Sequence, residues 1–276
     1  MFSTTEAPAP PAANKPIRVG PLCFQNSEFL YDPFPVGVCK PAVDEEVYGR
    51  LIDSWPPTEL FQYKPKLGHK YSLSEINNPD KYHDFLASCP PWRDFYDVVK
   101  RPEFVQAVLE TLAQNQIDLG LRGRHVSCVH RFSPLADKLK AALKKLKRLR
   151  AKDAPLSTRF EFSMLPADGG HIKPHTDAPQ KLITLVLSVV PQGEWDPAWG
   201  GGTSMLRPKD MTKNFNFLNK QMEFDELEPF HTYAFAPNQC LMFVKTFNSF
   251  HCVYPMTARG SQAMRKTLTI NIESWA

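Results

Sequence analysis

Apolar residues recur at helical spacing in the first half of the chain, where three helices are predicted. The first covers residues 41–55 and ends at two consecutive prolines. Its apolar face is formed by Val43, Val47, Leu51 and Ile52. Two further helices are predicted from Trp92 to Val99 and from Pro102 onward, where proline stands at a favoured first-turn position. The stretch 56–91 between the first two helices is expected to be irregular.

A different pattern begins at Ser157, where short apolar or alternating runs are separated by Gly, Pro, Asn and Asp. The runs are RFEFSML, KLITLVLSVV, TSMLRP, HTYAFA, CLMFVK and RKTLTINIE. Short strands at this spacing predict a sandwich or barrel. The whole pattern predicts a mainly β fold with N-terminal helices, a jelly-roll or cupin-like barrel buttressed by those helices. We expect a single domain over residues 20–276, with helical support over 41–152 and a β core over 157–276.

Composition narrows the possible environments and partners. A chain of 276 residues with 42% hydrophobic residues can bury a substantial core. The net charge of +4, from 33 basic and 29 acidic residues, gives no general reason to expect a nucleic-acid partner. The six cysteines form no CxxC pair, which predicts free thiols in a reducing cytoplasm. No apolar run is long enough to span a membrane.

Two segments outside the main patterns have distinctive compositions. Residues 1–19 are rich in Pro and Ala and lack the apolar centre of a secretory signal, so we expect a disordered arm on a cytoplasmic protein. Residues 138–152 contain eight Lys or Arg residues at a spacing that predicts a basic amphipathic helix. Its charged face is either simply solvated or faces an acidic partner, such as an acidic substrate or a membrane surface.

The segment PHTD places an imidazole and a carboxylate two residues apart. His175 and Asp177 stand just before an apolar run, and in an extended chain their side chains point the same way. His251 follows the predicted strand CLMFVK and can reach the same point from a neighbouring strand. Two histidines and one carboxylate on one face of an octahedron are typical of non-haem Fe(II) oxygenases. The sequence therefore predicts a metal site.

The predicted strand RKTLTINIE has one polar and one apolar face. The polar face consists of Arg265, Thr267, Thr269 and Asn271, and the apolar face consists of Leu268, Ile270 and Ile272. An arginine and a hydroxyl two residues apart can bind a carboxylate through charge-assisted hydrogen bonds. Arg259 is a competing arginine, but it lies in a turn-like segment without a companion hydroxyl. The pattern predicts a ligand cavity on the polar face.

The order of PHTD, a Gly-Gly strand start, FAPNQCLMFVKTFNSFHCVYP and RKTLTINIE resembles the 2-oxoglutarate/Fe(II)-dependent oxygenase superfamily, particularly its prolyl-4-hydroxylase-like bacterial branch. The resemblance covers roughly residues 159–273. It implies a double-stranded β-helix in which His175, Asp177 and His251 bind iron. It also implies that Arg265 and Thr267 bind the distal carboxylate of 2-oxoglutarate, although the family usually has Ser where Thr267 stands.

The reaction implied by this resemblance uses Fe(II), 2-oxoglutarate and O2, with ascorbate as a candidate reductant. It hydroxylates an unactivated C–H bond of a small molecule or a peptidyl residue and releases succinate and CO2. Lys181 and Thr184 enter the strand after Asp177, where they either contact 2-oxoglutarate or substrate or are ordinary strand residues. Two alternatives stay open: a cupin-like metal enzyme that does not use 2-oxoglutarate, and a non-catalytic ligand-binding barrel. The sequence leaves the substrate and the oligomeric state open.

Overall fold

The computed structural model describes residues 17–127 and 154–274. Most of the arm predicted over residues 1–19, and all of the basic helix predicted over residues 138–152, lie outside these ranges. The short strand Arg18–Val19 begins before the predicted end of the arm. The last residues of the arm segment therefore belong to the folded part of the chain.

Four α-helices lie within residues 17–127. They are α1 (Glu45–Asp53), α2 (Pro79–Ser88), α3 (Pro90–Lys100) and α4 (Pro102–Gln114). The first begins at Asp44, whose side chain accepts a hydrogen bond from the backbone N–H of Glu46 at 3.2 Å. Helices α1, α3 and α4 confirm the prediction. The expectation of irregular structure was wrong for α2, because two buried residues four apart, Tyr82 and Leu86, are too weak a pattern to predict a helix.

The β-strands continue from the N-terminal region to the end of the described chain. In chain order they are β1 (Arg18–Val19), β2 (Leu22–Cys23), β3 (Ser27–Leu30), β4 (Val36–Cys39), β5 (Gln62–Lys64), β6 (Lys70–Ser74), β7 (Leu156–Pro166), β8 (Ile172–His175), β9 (Lys181–Ser188), β10 (Thr203–Pro208), β11 (Leu227–Tyr233), β12 (Cys240–Val244), β13 (His251–Val253) and β14 (Met264–Ser274). Strands β1 and β2 form a separate hairpin. The other strands form two antiparallel sheets.

From β7 to β14 the chain passes repeatedly between these two sheets. The eight-stranded sheet has the order β3-β4-β12-β9-β14-β7-β6-β5, and the four-stranded sheet has the order β11-β10-β13-β8. Strands β7, β9, β12 and β14 therefore alternate with strands of the smaller sheet along the chain. This is the path of a double-stranded β-helix, so the predicted fold class, mainly β with N-terminal helices, is confirmed.

The eight-stranded sheet has an apolar outer face and a largely polar inner face around β14. On the outer face Leu268, Ile270 and Ile272 are buried in the same core as helices α3 and α4. On the inner face Arg265 and Thr267 are also buried, but they line a cavity between the sheets. The predicted alternation along β14 is thus confirmed. The packing of the outer face fixes which side chains point inward.

Strands β3 to β6 extend the large sheet at both edges, which the sequence did not predict. Strand β4 pairs with β12, and β6 pairs with β7. These strands have three to five residues, and the partners that join them to the large sheet, β12 for β4 and β7 for β6, are distant in the chain. Such short segments have no clear alternation, so only tertiary pairing makes them strands. The predicted helical support region accordingly contributes strands as well.

Two simpler expectations concern cysteines and membrane spans. Each of the five cysteines in the described part of the chain is a free thiol, as predicted. Within residues 17–127 and 154–274, no helix has the length and apolar character that crossing a bilayer requires.

Candidate metal centre and its cavity

Two histidines face each other across the strand pair β8 and β13. His175 is the last residue of β8 and His251 is the first residue of β13, and the register places them directly opposite. Their ring centroids are 4.4 Å apart. The ligand atoms of His175, Asp177 and His251 all lie within 4.8 Å of one another. The structure therefore brings the three predicted metal ligands together.

Backbone carbonyls fix the tautomer of both histidines. The Nδ1 atom of His175 lies 2.9 Å from the carbonyl oxygen of Lys173, and Nδ1 of His251 lies 3.0 Å from that of Ser249. A carbonyl only accepts hydrogen bonds, so each Nδ1 carries the proton and each Nε2 keeps a free lone pair. Burial, with a second contribution from the facing His251, lowers the pKa of His175 to about 3, and burial also lowers the pKa of His251. Both rings are therefore held in the neutral form that binds metals.

The carboxylate of Asp177 accepts a hydrogen bond at each of its oxygens. Lys181 Nζ donates to Oδ1 at 2.6 Å, and Thr184 Oγ1 lies 2.6 Å from Oδ2. Burial alone raises the pKa of the Asp177 carboxyl, but the neighbouring charges, above all the Lys181 ammonium, outweigh it and hold the pKa below its ordinary value. Asp177 is therefore an anion with a fixed orientation.

Arg265 is a buried cation near the start of β14. Its Nε donates to the carbonyl of Gly201, its Nη2 donates to Thr203 Oγ1 at 3.2 Å, and its guanidinium lies over the ring of Phe235. Burial lowers its pKa to about 10, so it stays charged at neutral pH. No carboxylate among residues 17–127 and 154–274 forms an ion pair with it. A buried charge without a counterion is costly, and an anionic ligand removes that cost.

A single cavity of about 310 Å³ connects the metal ligands with Arg265. Its walls include every candidate site residue of the sequence analysis: His175, Asp177, His251, Arg265, Thr267, Lys181 and Thr184. Arg259, the competing arginine, is exposed and lies outside these walls. The anion-binding candidate and the metal-binding candidates therefore share one space.

Basic residues predominate in the cavity wall. The basic members are Lys66, Lys70, Lys173, Lys181 and Arg265, and the acidic member is Asp177. Three of the lysines pair with carboxylates, namely those of Glu161, Glu223 and Asp177. Lys66 is exposed, so its charge is screened by water. Arg265 is therefore the basic group in this wall that is both buried and without an acidic partner in the described part of the chain.

Several residues of the cavity wall had not been predicted. Asn219 and Gln221 enter it from the connection between β10 and β11, and Gly68 enters it from the turn after Pro65–Leu67. Gly68 has φ +70°, and a Cβ there would collide with the carbonyl of His171. The sequence does not reveal that the backbone at Gly68 requires a positive φ. It also offers no pattern around Asn219 that would predict a place in the cavity wall.

The donor set fits Fe(II) with a bound carboxylate cosubstrate. Two neutral imidazoles and one carboxylate are the ligands that non-haem Fe(II) oxygenases use, and three coordination positions stay open. The buried Arg265 and the hydroxyl of Thr267 face the same cavity and suit a dicarboxylate that also reaches the metal site. The residues present are thus compatible with both groups.

Comparison with solved structures finds similar chains at low sequence identity. A prolyl-4-hydroxylase from Pseudomonas putida has 12% identity and a TM-score of 0.43, covering 87% of this chain and 92% of that chain. SnoN, a non-haem α-ketoglutarate-dependent epimerase from nogalamycin biosynthesis, has 10% identity and a TM-score of 0.46, covering 87% and 76%. A 2OG-Fe(II) oxygenase family oxidoreductase from Burkholderia pseudomallei has 14% identity and a TM-score of 0.29, covering 49% and 57%. No protein-family model and no curated protein matches this sequence.

Proposed function

We propose that this protein is an Fe(II)- and 2-oxoglutarate-dependent oxygenase that hydroxylates an unactivated C–H bond of a small molecule or a peptidyl residue. One observation carries the proposal: a His-Asp-His triad and a buried arginine without an acidic partner in the described chain line the same cavity. A metal site alone is equally compatible with a cupin-like enzyme. A buried cation in the same cavity supports an anionic cosubstrate, because a bound anion would offset the cost of burying its charge.

Each candidate site residue has a specific task under this proposal. His175, Asp177 and His251 hold iron, and Arg265 with Thr267 holds the distal carboxylate of 2-oxoglutarate. Lys181 and Thr184 keep the Asp177 carboxylate oriented, and both lie close enough to the metal site to contact the cosubstrate as well. Bound iron and 2-oxoglutarate supply the oxidation, which releases succinate and CO2 and uses O2. The chain's own share is to orient the ligands and to shape a closed space around the reacting C–H bond.

The test is an anaerobic titration of the metal-free protein with Fe(II) and 2-oxoglutarate, followed by visible absorption. Chelation of the cosubstrate to iron gives a weak charge-transfer band, which we expect in the wild type. We expect no band in His175→Ala, because one ligand is missing. Arg265→Ala should give the band only at a 2-oxoglutarate concentration roughly a hundredfold higher, since a buried charge-assisted contact is lost.

The outcomes separate the proposal from its alternatives. Metal binding without any band would contradict the use of 2-oxoglutarate and favour a cupin-like metal enzyme. Absence of metal binding would favour a non-catalytic barrel. Once a substrate is found, the product mass distinguishes hydroxylation, which adds one oxygen atom, from an epimerisation like that named for SnoN, which leaves the mass unchanged.

A further inference from the structure

Asn271 carries a fully buried amide on the inner face of β14, close to the metal ligands. None of its surface is exposed, and it stands directly opposite Thr184 of β9 in the register of the large sheet. Its place on β14 follows the same alternation that turns Arg265 and Thr267 toward the cavity. Burial of an amide is costly unless the amide forms hydrogen bonds, so an asparagine at this position needs partners.

The side chain of Thr184 connects Asn271 with Asp177. Its Oγ1 atom lies 2.6 Å from Asp177 Oδ2 and 3.0 Å from Asn271 Oδ1. A hydroxyl has one proton to donate, so it cannot serve both oxygen atoms. The carboxylate oxygen is charged and closer, and charge-assisted hydrogen bonds are the stronger ones. The proton of Thr184 therefore goes to Asp177, which leaves Oγ1 of Thr184 and Oδ1 of Asn271 as two acceptors that face each other.

The other end of the same amide lacks an acceptor. Nδ2 of Asn271 is buried and has no hydrogen-bond partner among the residues that the structure describes. A buried N–H group without an acceptor is unfavourable, and two acceptors that face each other repel. On the opposite side of Asn271 stands Arg159 of β7, whose buried Nε likewise has no hydrogen-bond partner in the described chain. That side therefore offers a donor, whereas the side of Thr184 offers an acceptor.

A half turn of the Asn271 amide matches these partners. It exchanges Oδ1 and Nδ2 with little change in the shape of the side chain. Nδ2 then takes the position 3.0 Å from Thr184 Oγ1 and donates to a lone pair of the hydroxyl, whose own proton goes to Asp177. Oδ1 leaves that position and no longer faces a second acceptor. The hydrogen-bonding capacity of these groups thus favours the turned amide.

We propose that Asn271 is a positioning residue for the metal site, whose Nδ2 donates to Thr184 so that Thr184 donates its single proton to Asp177. The inference deepens the proposed function and rests on its metal ligands, not on its cosubstrate. Lys181 fixes Oδ1 of the Asp177 carboxylate, and the chain of hydrogen bonds from Asn271 fixes Oδ2. Each donor in such a chain polarises the next, so the bond to Asp177 is strengthened.

The two orientations of the amide predict opposite effects on metal binding. If Oδ1 accepted from Thr184, Asn271 would compete with Asp177 for the hydroxyl proton, and removal of Asn271 would leave the affinity for Fe(II) unchanged or higher. If Nδ2 donates to Thr184, removal of Asn271 leaves the hydroxyl free to turn away from Asp177, and the affinity for Fe(II) falls. The sign of the change therefore decides between the two orientations.

The test is anaerobic calorimetry of the full-length, metal-free protein with Fe(II) alone, in wild type, Asn271→Leu, Thr184→Val and the double variant. Leucine has a similar branched shape but no hydrogen-bonding groups. We expect Asn271→Leu to weaken Fe(II) binding about 3- to 10-fold, less than the loss of a direct partner of the ligand. In the Thr184→Val background the same substitution should change the affinity less than about twofold, because the chain is already interrupted. Unchanged or tighter binding in Asn271→Leu, or equal weakening in both backgrounds, would overturn the inference.

Two further variants separate positioning from general destabilisation. Asn271→Ala removes the same groups without adding volume, and it should give the same two results if the leucine variant fails to fold. Asn77→Leu removes another side-chain amide, whose Nδ2 donates to Ser72 Oγ at 3.0 Å, but Asn77 lies outside the cavity wall. It should bind Fe(II) as the wild type does, even where urea denaturation of the metal-free protein shows a loss of stability. Equal weakening of Fe(II) binding in Asn77→Leu and Asn271→Leu would assign the effect to destabilisation and contradict the inference.

A second readout is independent of metal. In NMR spectra of the isotope-labelled, metal-free protein, the side-chain amide signals of Asn271 are identified by their loss in Asn271→Leu. A proton donated to an oxygen atom is deshielded, so one of these signals should move upfield in Thr184→Val, where the acceptor is gone. Thr184→Ser keeps the hydroxyl and should restore the shift. Identical amide signals in wild type and Thr184→Val would contradict donation by Nδ2.

The role of Asn271 and the proposed function fail in different ways. Fe(II) binding that couples Asn271 to Thr184, but gives no charge-transfer band with 2-oxoglutarate, contradicts only the oxygenase assignment. A band in the wild type without that coupling contradicts only the role of Asn271. Absence of Fe(II) binding in the wild type contradicts both, since Asp177 would then not be a metal ligand that needs positioning.

Discussion

The strands β7 and β14 each have an outer and an inner face. Both faces are buried, but the outer one is apolar and the inner one carries polar side chains. On the outer face Phe162 and Ile270 are buried among aromatic and aliphatic side chains of the helices. On the inner face of the same two strands Glu161, Arg265 and Thr267 are equally buried but polar. Because side chains alternate, packing of the outer face sets the register that presents the inner face. Stability and chemistry are thus divided between two sides of one strand pair.

A second difference runs along the inner face itself. Glu161 receives hydrogen bonds from Lys70 at 2.8 Å and Ser72 at 2.9 Å, with Arg159 at 3.7 Å. Arg265, on the neighbouring strand, has no such acidic partner within the described ranges. One buried charge is therefore neutralised by the fold, and the other has no acidic partner in the described part of the chain. These differences between buried positions lead to five predictions.

The largest effect on stability is expected on the outer face. Phe162 is fully buried, and its ring lies 4.8 Å from that of Trp92 and 5.4 Å from that of Trp55. Phe162→Ala should lower the free energy of unfolding by about 3–5 kcal/mol, measured by urea denaturation. The exposed Phe215→Ala should change it by less than about 0.5 kcal/mol. Similar losses in both variants would contradict the distinction.

A smaller loss is expected where the inner face neutralises its own charge. Lys70→Met leaves Glu161 with fewer partners and should lower the free energy of unfolding by about 2 kcal/mol near neutral pH. Lys173→Met, whose partner Glu223 is exposed, should lower it by less than about 1 kcal/mol. Urea denaturation of both variants compares a buried ion pair with a surface one. Equal losses in the free energy of unfolding would contradict a larger contribution from the buried pair.

The pH dependence of the Lys70 variant follows from Glu161. Burial raises the pKa of Glu161, but Lys70 and Arg159 outweigh it and hold the pKa below its ordinary value in the folded state. A carboxyl with a depressed folded-state pKa stabilises the fold above its unfolded-state pKa of about 4.3, and the contribution fades as the pH falls. The difference between wild type and Lys70→Met should therefore shrink in acid, and a constant difference down to about pH 3 would contradict this role of Glu161.

Loss of the hydrogen bond that orients Asp177 should weaken Fe(II) binding moderately. Thr184→Val keeps the shape of the side chain but removes the hydrogen bond to Asp177, and we expect Fe(II) binding to weaken about 10- to 100-fold. Thr269→Val, in the same cavity wall but without a bond to Asp177, is the matched control. Anaerobic calorimetry with Fe(II) measures both, and Thr184→Ser should restore much of the affinity.

The smallest expected effect is a gain in the free energy of unfolding rather than a loss. Arg265→Met removes a buried charge that lacks an acidic partner in the described chain, so the metal-free protein should become about 1 kcal/mol more stable. The same variant should bind 2-oxoglutarate poorly, because the counterion of the carboxylate is gone. Urea denaturation without metal or cosubstrate tests the first half, with Arg207→Met as the control, because Arg207 is partly exposed and pairs with Asp32. A clear loss of stability would indicate that Arg265 serves the fold rather than a ligand.

The sequence contained enough information for the core of the fold and for the convergence of the triad. Alternation in RKTLTINIE placed Arg265 and Thr267 on the cavity face, and the two-residue spacing of His175 and Asp177 placed both on one side of an extended chain. These are local properties of strands, so they can be read from a single segment. These predictions agree with the structure because each depends only on the alternation of side chains within one strand.

Other features depended on contacts between distant segments and could not be read in this way. Strand β6 is a strand because it pairs with β7, and the hydrogen bonds from Lys181 and Thr184 to Asp177 require a turn whose geometry no pattern specified. Asn219 enters the cavity only because its loop is bonded to Thr176 and Pro174. Such contacts are products of the whole fold.

The register that sets His175 opposite His251 has a consequence for the integrity of the small sheet. These residues end β8 and begin β13, two strands of only four and three residues. An ion bound to both would bridge segments that are far apart in the chain, and because these ligands converge only in the folded state, it would stabilise that state over the unfolded one. Under the proposed function, iron supply should therefore change the proteolytic half-life, because a chain without metal would open this sheet more often than a chain with it.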